Sequence, residues 1–171
     1  MSTRANIVIK NESNDGKSLT SVKYVQVYHH FDGYPTGVGE EIRELLHKHF
    51  VEEQSKDMSV DSLYKMFIET NTDEMCPDYR LDIATNDIWD VRLHGDIEYL
   101  YVIDIDEESV FCYHLNIGWS RENKNADYAA IANDYHQEKY PILYRMSFFT
   151  DESIEDAICE MQEINKKNNN H

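Results

Sequence analysis

Between Tyr28 and Gly39 the chain places two histidines, His29 and His30, with Asp32, two tyrosines and three glycines within twelve residues. An imidazole beside a carboxylate is a minimal proton-transfer pair: Asp32 would orient a ring and His29 or His30 would exchange the proton. Gly33, Gly37 and Gly39 permit close backbone approach, and N–H groups at the start of a following helix favour an anion. The same letters also describe a structural corner, in which Asp32 caps its own turn, Tyr34 packs under the helix and Pro35 stiffens the exit. Gly37-Val38-Gly39 lacks the remaining elements of a phosphate loop or a dinucleotide fingerprint.

A second group is His94, Asp96 and Glu98. They alternate, so they share one face of a strand, and with His29 or His30 they could hold a divalent cation. One strand does not bring three ligands to a point, and solvated positions on a half-buried strand give the same pattern, so no metal is assigned. Asp104 and Asp106 also share a face and would suit two-metal chemistry, but in so acidic a chain such pairs arise by chance. His47 and His49 flank the apolar stripe of a helix, and His114 lies in a strand. The chain has no Gly-x-Ser-x-Gly elbow, no His-Glu-x-x-His and no recognisable Cys–His spacing. No cofactor is implied.

These residues must be positioned by a small set of elements. Arg4–Lys10 reads as a strand, with Asn11–Ser18 a turn and Ser21–Tyr28 its hairpin partner. Val38, Ile42, Leu45, Leu46 and Phe50 mark one side of a helix that continues to about Glu53. A second helix begins after Ser59, a good N-cap, with Met58 and Leu63 as a hydrophobic staple and Val60, Leu63, Tyr64, Phe67 and Ile68 as its stripe. Tyr79, Leu81 and Ile83 alternate as a short strand. Ile97, Tyr99, Tyr101, Ile103 and Ile105 form one face of the strongest strand, and Val110–Ile117 returns beside it after a turn at Asp106–Ser109. A short helix is expected over Asn125–Gln137 and a strand over Tyr140–Phe149. A final helix is expected with Thr150 as N-cap, Asp151 and Glu152 in its first turn, and Phe149 stapled to Ile154. The expected fold is α+β: one domain over residues 1–165, with an antiparallel sheet of five or six strands and helices on one face. Residues 166–171 should fray.

Charge narrows the function. The 171 residues carry 33 acidic against 16 basic side chains, a formal charge of −17. Such a surface repels phosphate backbones, which argues against direct nucleic-acid binding. No apolar run reaches the roughly 20 residues of a membrane span, and no signal-peptide core is visible, so a cytoplasmic location and no membrane contact are expected. Cys76, Cys112 and Cys159 are odd in number and widely spaced, as befits free thiols in a reducing compartment. Leu81–Ser120 holds nine acids and one basic residue, Arg92, and Asp156, Glu160 and Glu163 have the spacing of an acidic ridge on the final helix.

Tyr28-His29-His30-Phe31-Asp32-Gly33-Tyr34-Pro35, with Gly37 and Gly39, resembles the aromatic-Asp-Gly-Tyr-Pro signature that closes an N-terminal hairpin in a widespread set of small phage and bacterial proteins. Met1-Ser2-Thr3-Arg4 and the segment Asp96–Asp104 resemble the same proteins. The resemblance covers about the first fifty residues and a patch near residue 100. Many of those proteins have His between the two glycines, where this chain has Val38. The resemblance implies a mobile-element origin in a bacterial host and a place in virus–host conflict, but carries no mechanism.

Two classes of function follow. In the first, the chain is a non-enzymatic binder whose acidic, tyrosine-bearing surface occludes a host protein with a basic surface, one that handles nucleic acid or acts in defence. Its binding residues would be Tyr34, Asp96, Glu98, Asp104, Asp106, Asp156, Glu160 and Glu163. In the second, it is a small hydrolase or a nucleotide- or signal-binding protein using the His29–Gly39 loop, with His29, His30, Asp32 and His94 brought into one pocket.

Overall fold

The computed structural model describes residues 3–11, 24–70, 75–80, 97–115 and 142–170. The strands are β1 (Ala5–Lys10), β2 (Tyr24–His29), β3 (Met75–Arg80), β4 (Tyr99–Asp104), β5 (Ser109–His114) and β6 (Ile142–Ser147). The helices are α1 (Glu40–His47), α2 (Val60–Thr70) and α3 (Ile154–Asn169), with π-helical turns Pro35–Gly39 and Lys48–Glu52 flanking α1.

The strands form one sheet in the order β3-β2-β1-β4-β5-β6. It is mostly antiparallel, as the hairpin patterns predict. The exception is at its centre, where β1 and β4 run parallel with Ala5 opposite Tyr99 and Lys10 opposite Asp104. Nothing local encodes that pairing, because the two strands are nearly ninety residues apart, with two helices and two other strands between them among the described residues. The α+β class stands, with a mixed sheet in place of a wholly antiparallel one.

Alternation decides which face is covered by helices. Ala5, Ile7 and Ile9 of β1, Val25 and Val27 of β2, Tyr101 and Ile103 of β4, Val110 and Cys112 of β5, and Tyr144 and Met146 of β6 share one face and one core with Ile42, Leu46, Leu63, Phe67, Ile154 and Ala157 of the helices. Leu63 and Phe67 are fully buried, and each such side chain contributes about 2–3 kcal/mol of hydrophobic stabilisation.

The helical run after Pro35 has an unusual apolar spacing. Val38, Ile42, Leu46 and Phe50 are all buried and lie four residues apart. In an unbroken α-helix each step of four drifts by roughly 40° around the axis. The wider π turns at both ends take up that drift, so all four side chains reach the sheet.

α2 starts as its sequence predicts. The Ser59 hydroxyl accepts from the Ser62 N–H at 3.2 Å, and the Ser59 carbonyl accepts from the Leu63 N–H at 3.2 Å. The last helix starts later than expected. Its N-cap is Ser153, in extended conformation, whose Oγ accepts from the Asp156 N–H at 3.1 Å; Thr150 instead accepts from the Glu152 N–H at 3.1 Å in the turn before it. The expected Phe149 staple is also absent. Tyr144, Met146 and Phe148 point inward with the period of the strand, so the next residue, Phe149, points out and is 44% exposed. The frayed tail expected from Lys166 is helical through Asn169, with those side chains exposed. Leu81, Ile83 and Asn125–Gln137 lie outside the described residues.

Candidate functional site

The Asp32 corner is wedged against the start of β1. Asp32 has a left-handed backbone (φ 52°), and its carbonyl accepts from the Val38 N–H at 2.9 Å. The Gly33 N–H donates to the Thr3 carbonyl at 2.9 Å, and the Gly37 N–H to the Tyr34 carbonyl at 2.9 Å. The Gly33, Gly37 and Val38 amides therefore already serve backbone carbonyls. The space beside the glycines is also taken: a Cβ on Gly37 would lie 2.1 Å from the Asp32 carbonyl oxygen, one on Gly33 2.9 Å from Ala5 Cβ, and one on Gly39 2.9 Å from the Tyr144 hydroxyl. These glycines let the chain approach itself, which corrects the anion-cradle expectation.

His29 and His30 do not converge. His29 follows Val25 and Val27 onto the helix-covered face, where it is buried with Nε2 4.0 Å from Glu41 Oε2. His30 Nδ1 hydrogen-bonds at 2.8 Å with the hydroxyl of Tyr28, a residue whose side chain belongs to the opposite face, and Phe31 packs edge-on against the His30 ring. The Asp32 carboxylate accepts from the Tyr34 hydroxyl at 3.2 Å, and that hydrogen bond holds the Tyr34 phenol above its ordinary pKa. Tyr34 is 39% exposed and does not pack under the helix; Pro35 and Val38 fill that place. His94 and Asp96 lie outside the described residues, and Glu98 is half-buried where its carbonyl accepts from the Leu115 N–H at 2.7 Å.

Beneath the corner, Tyr101 donates from its hydroxyl to the Gly33 carbonyl at 2.8 Å. Burial pushes the phenols of Tyr101 and Tyr144 and the thiol of Cys112 well above their ordinary pKa values, so all three stay neutral. Such a thiol is inert rather than nucleophilic.

The opposite end of the sheet is built differently. The turn carrying Asp106, Glu107 and Glu108 leaves β4, and its Glu108 carbonyl accepts from the Phe148 N–H at 2.9 Å. That bond places the acidic turn beside the β6–α3 turn, with Phe149, Asp151 and Glu152. The helical run from Pro35 ends there too: His47 Nε2 lies 2.8 Å from Asp151 Oδ1, while its Nδ1 lies 3.6 Å from Glu52 Oε1. Phe50 stacks on Phe148 at 5.2 Å and touches Phe149 at 5.7 Å between ring centres. Phe149 and Val51, at 44% and 36% exposure, thus stand where three acidic segments meet. Asp156, Glu160 and Glu163 continue the acidity along α3 as an exposed ridge. Partial burial, and then the neighbouring Glu160 and Asp156, raise the Glu152 carboxyl above its ordinary pKa.

Of the acids singled out in the sequence, Asp106, Asp156, Glu160 and Glu163 are exposed and Asp104 is not. Asp104 is buried against Lys10 (3.3 Å), its neighbour across the parallel β1–β4 pair, and its Oδ1 accepts from the Glu107 N–H at 3.2 Å. It shapes the acidic turn instead of offering a free charge, and forms no metal pair with Asp106. Among the described residues no group of three or more His, Cys, Asp or Glu is placed to hold a metal ion, and no helix is long and apolar enough to cross a membrane. The sequence reading missed Val51, Glu52 and Phe149; the doubled phenylalanine ending an alternating strand was the one available signal, since one of the pair had to face outward. Comparison with protein-family models, curated proteins and solved structures returned no match.

Proposed function

We propose that this chain is a non-catalytic binding protein, encoded by a phage or other mobile element, that occludes a basic, nucleic-acid-handling or defence protein in the cytoplasm of a bacterial host. The observation that carries the reading is the convergence of the 106–108 turn, Glu52 and the 151–156 segment at one end of the sheet, drawn together by the Phe148–Glu108 backbone bond and by His47 between Glu52 and Asp151. Concentrated carboxylates steer a basic partner and compete with the phosphates it normally grips. The separation of His29 from His30 across the sheet speaks against a shared catalytic pocket at the other end.

The test is competitive. Capture from a bacterial lysate at low and high salt identifies candidates, and each is then assayed for release of bound duplex DNA by the purified chain. Displacement at low salt, lost at high salt and in the Asp106→Asn, Asp151→Asn, Glu152→Gln triple variant, is expected. Failure to displace DNA from any captured basic protein at low salt defeats the proposal.

A further inference from the structure

Resting on that reading, we infer that the acidic end engages its partner through an arginine-bearing segment, which seats a guanidinium on the exposed ring of Phe149 among the carboxylates of Glu52, Glu108 and Asp151. Phe149 is a large apolar side chain left in solvent by strand alternation, and its backing is rigid. It rests on Phe50, which stacks on Phe148 with the two planes 2° apart. A ring already held in place binds with little loss of side-chain entropy.

The surrounding charge selects the occupant. A second copy of this chain would bring the same carboxylates into opposition, and nucleic acid or an anionic lipid surface would be repelled. A basic polypeptide is left. Arginine suits the site better than lysine, because a planar guanidinium stacks on an aromatic face and pairs with a carboxylate at the same time. The molecule makes this combination within itself: the Arg145 guanidinium carbon lies 5.0 Å from the centre of the Phe111 ring, while its Nη2 is 3.3 Å from Glu107 Oε2. Phe149 lies two residues beyond Ser147, the end of the strand that carries Arg145, and presents a part-exposed aromatic ring in the same acidic neighbourhood.

The test uses the full chain, isotopically labelled, and two peptides of equal length and charge, one basic through arginine and one through lysine. Amide shifts in nuclear magnetic resonance report where each binds, and titration at low and high salt gives affinity. The arginine peptide is expected to shift Val51, Glu108, Phe149 and Asp151, and to bind about tenfold more weakly to Phe149→Ala. The Phe149→Leu variant, which keeps apolar bulk without a π face, should fall between, and Glu69→Gln on the exposed side of α2 should match the parent. Equal, salt-sensitive binding of both peptides that ignores Phe149→Ala overturns the arginine inference and leaves the acidic-binder reading standing. Binding of neither peptide at low salt overturns both. Shifts confined to Phe31 and Tyr34 also overturn the inference, by moving the site to the other end.

Discussion

The two ends of the sheet divide the work between residue chemistry and residue placement. The Asp32 corner holds the histidines, glycines and tyrosines that look reactive in a sequence, yet the Gly33, Gly37 and Val38 amides, the glycine clearances and the Tyr101 hydroxyl go into closing the corner and holding it against the chain before β1 and against β4. The Phe149 end is assembled from ordinary acids and phenylalanines, scattered over residues 50–156, and it is there that a part-exposed ring stands beside more carboxylates than the single imidazole of His47 can neutralise. Reactive residue types packed into a turn can serve as its scaffold, whereas a recognition surface needs groups that stay exposed once the fold has formed.

Substitutions should separate the two ends. The largest effect is expected from Gly37→Ala, because a methyl 2.1 Å from the Asp32 carbonyl oxygen forces the corner open; a loss of about 3 kcal/mol or more in urea denaturation, or failure to accumulate folded protein, is expected. Tyr101→Phe removes the buried donor to the Gly33 carbonyl and should cost about 1–2 kcal/mol by the same measurement. Retained stability in both variants would mean that the corner is not the structural clamp described.

At the other end, binding should respond while folding does not. Phe149→Ala should cost no more than about 1 kcal/mol of stability, since the ring is part-exposed and packs only on the rim of the core beside Phe50, even as affinity for the arginine peptide falls. Lowering the pH into the carboxylate range should weaken that binding as well. Glu152, whose pKa is raised by partial burial and by Glu160 and Asp156, takes up a proton before an ordinary carboxylate and so loses its charge first. Binding that strengthens on acidification would contradict an electrostatic rim.

The smallest effect provides a control on folding itself. Hydrogen bonds from the Ser62 hydroxyl and the Ser59 N–H hold Asp57 below the ordinary carboxylate value of 3.8. A depressed folded-state pKa means that its stabilisation is present above that value and is lost as pH falls through the lowered one. Asp57 is exposed, so solvent screening limits the contribution to under about 1 kcal/mol. Asp57→Asn should lose that amount at neutral pH and show a shallower fall in stability on acidification, with no change in peptide binding.

Much of the architecture was legible in the chain because its signals are local. The period of two from Ile97 to Ile105 produced β4 with Tyr101 and Ile103 on one face and Leu100 and Val102 on the other, both faces buried, and Ser59 capped α2 as its hydroxyl and position imply. The final helix was placed too early because Thr150 and Ser153 are both competent caps; only backbone geometry, extended at Ser153, distinguishes them. Asp104 was misread as a surface charge because its partner, Lys10, lies ninety-four positions away in sequence and meets it across a parallel pair that no local pattern announces.

By itself the sequence determined the α+β class, which residues share a face of each strand and helix, and the excess of negative charge, since periodicity and composition act residue by residue. The tertiary structure alone decided which charges are free and where they gather. Burial, ion pairing and proximity depend on chain crossings such as β1 beside β4 and the Glu108–Phe148 contact, whose partners are far apart along the chain.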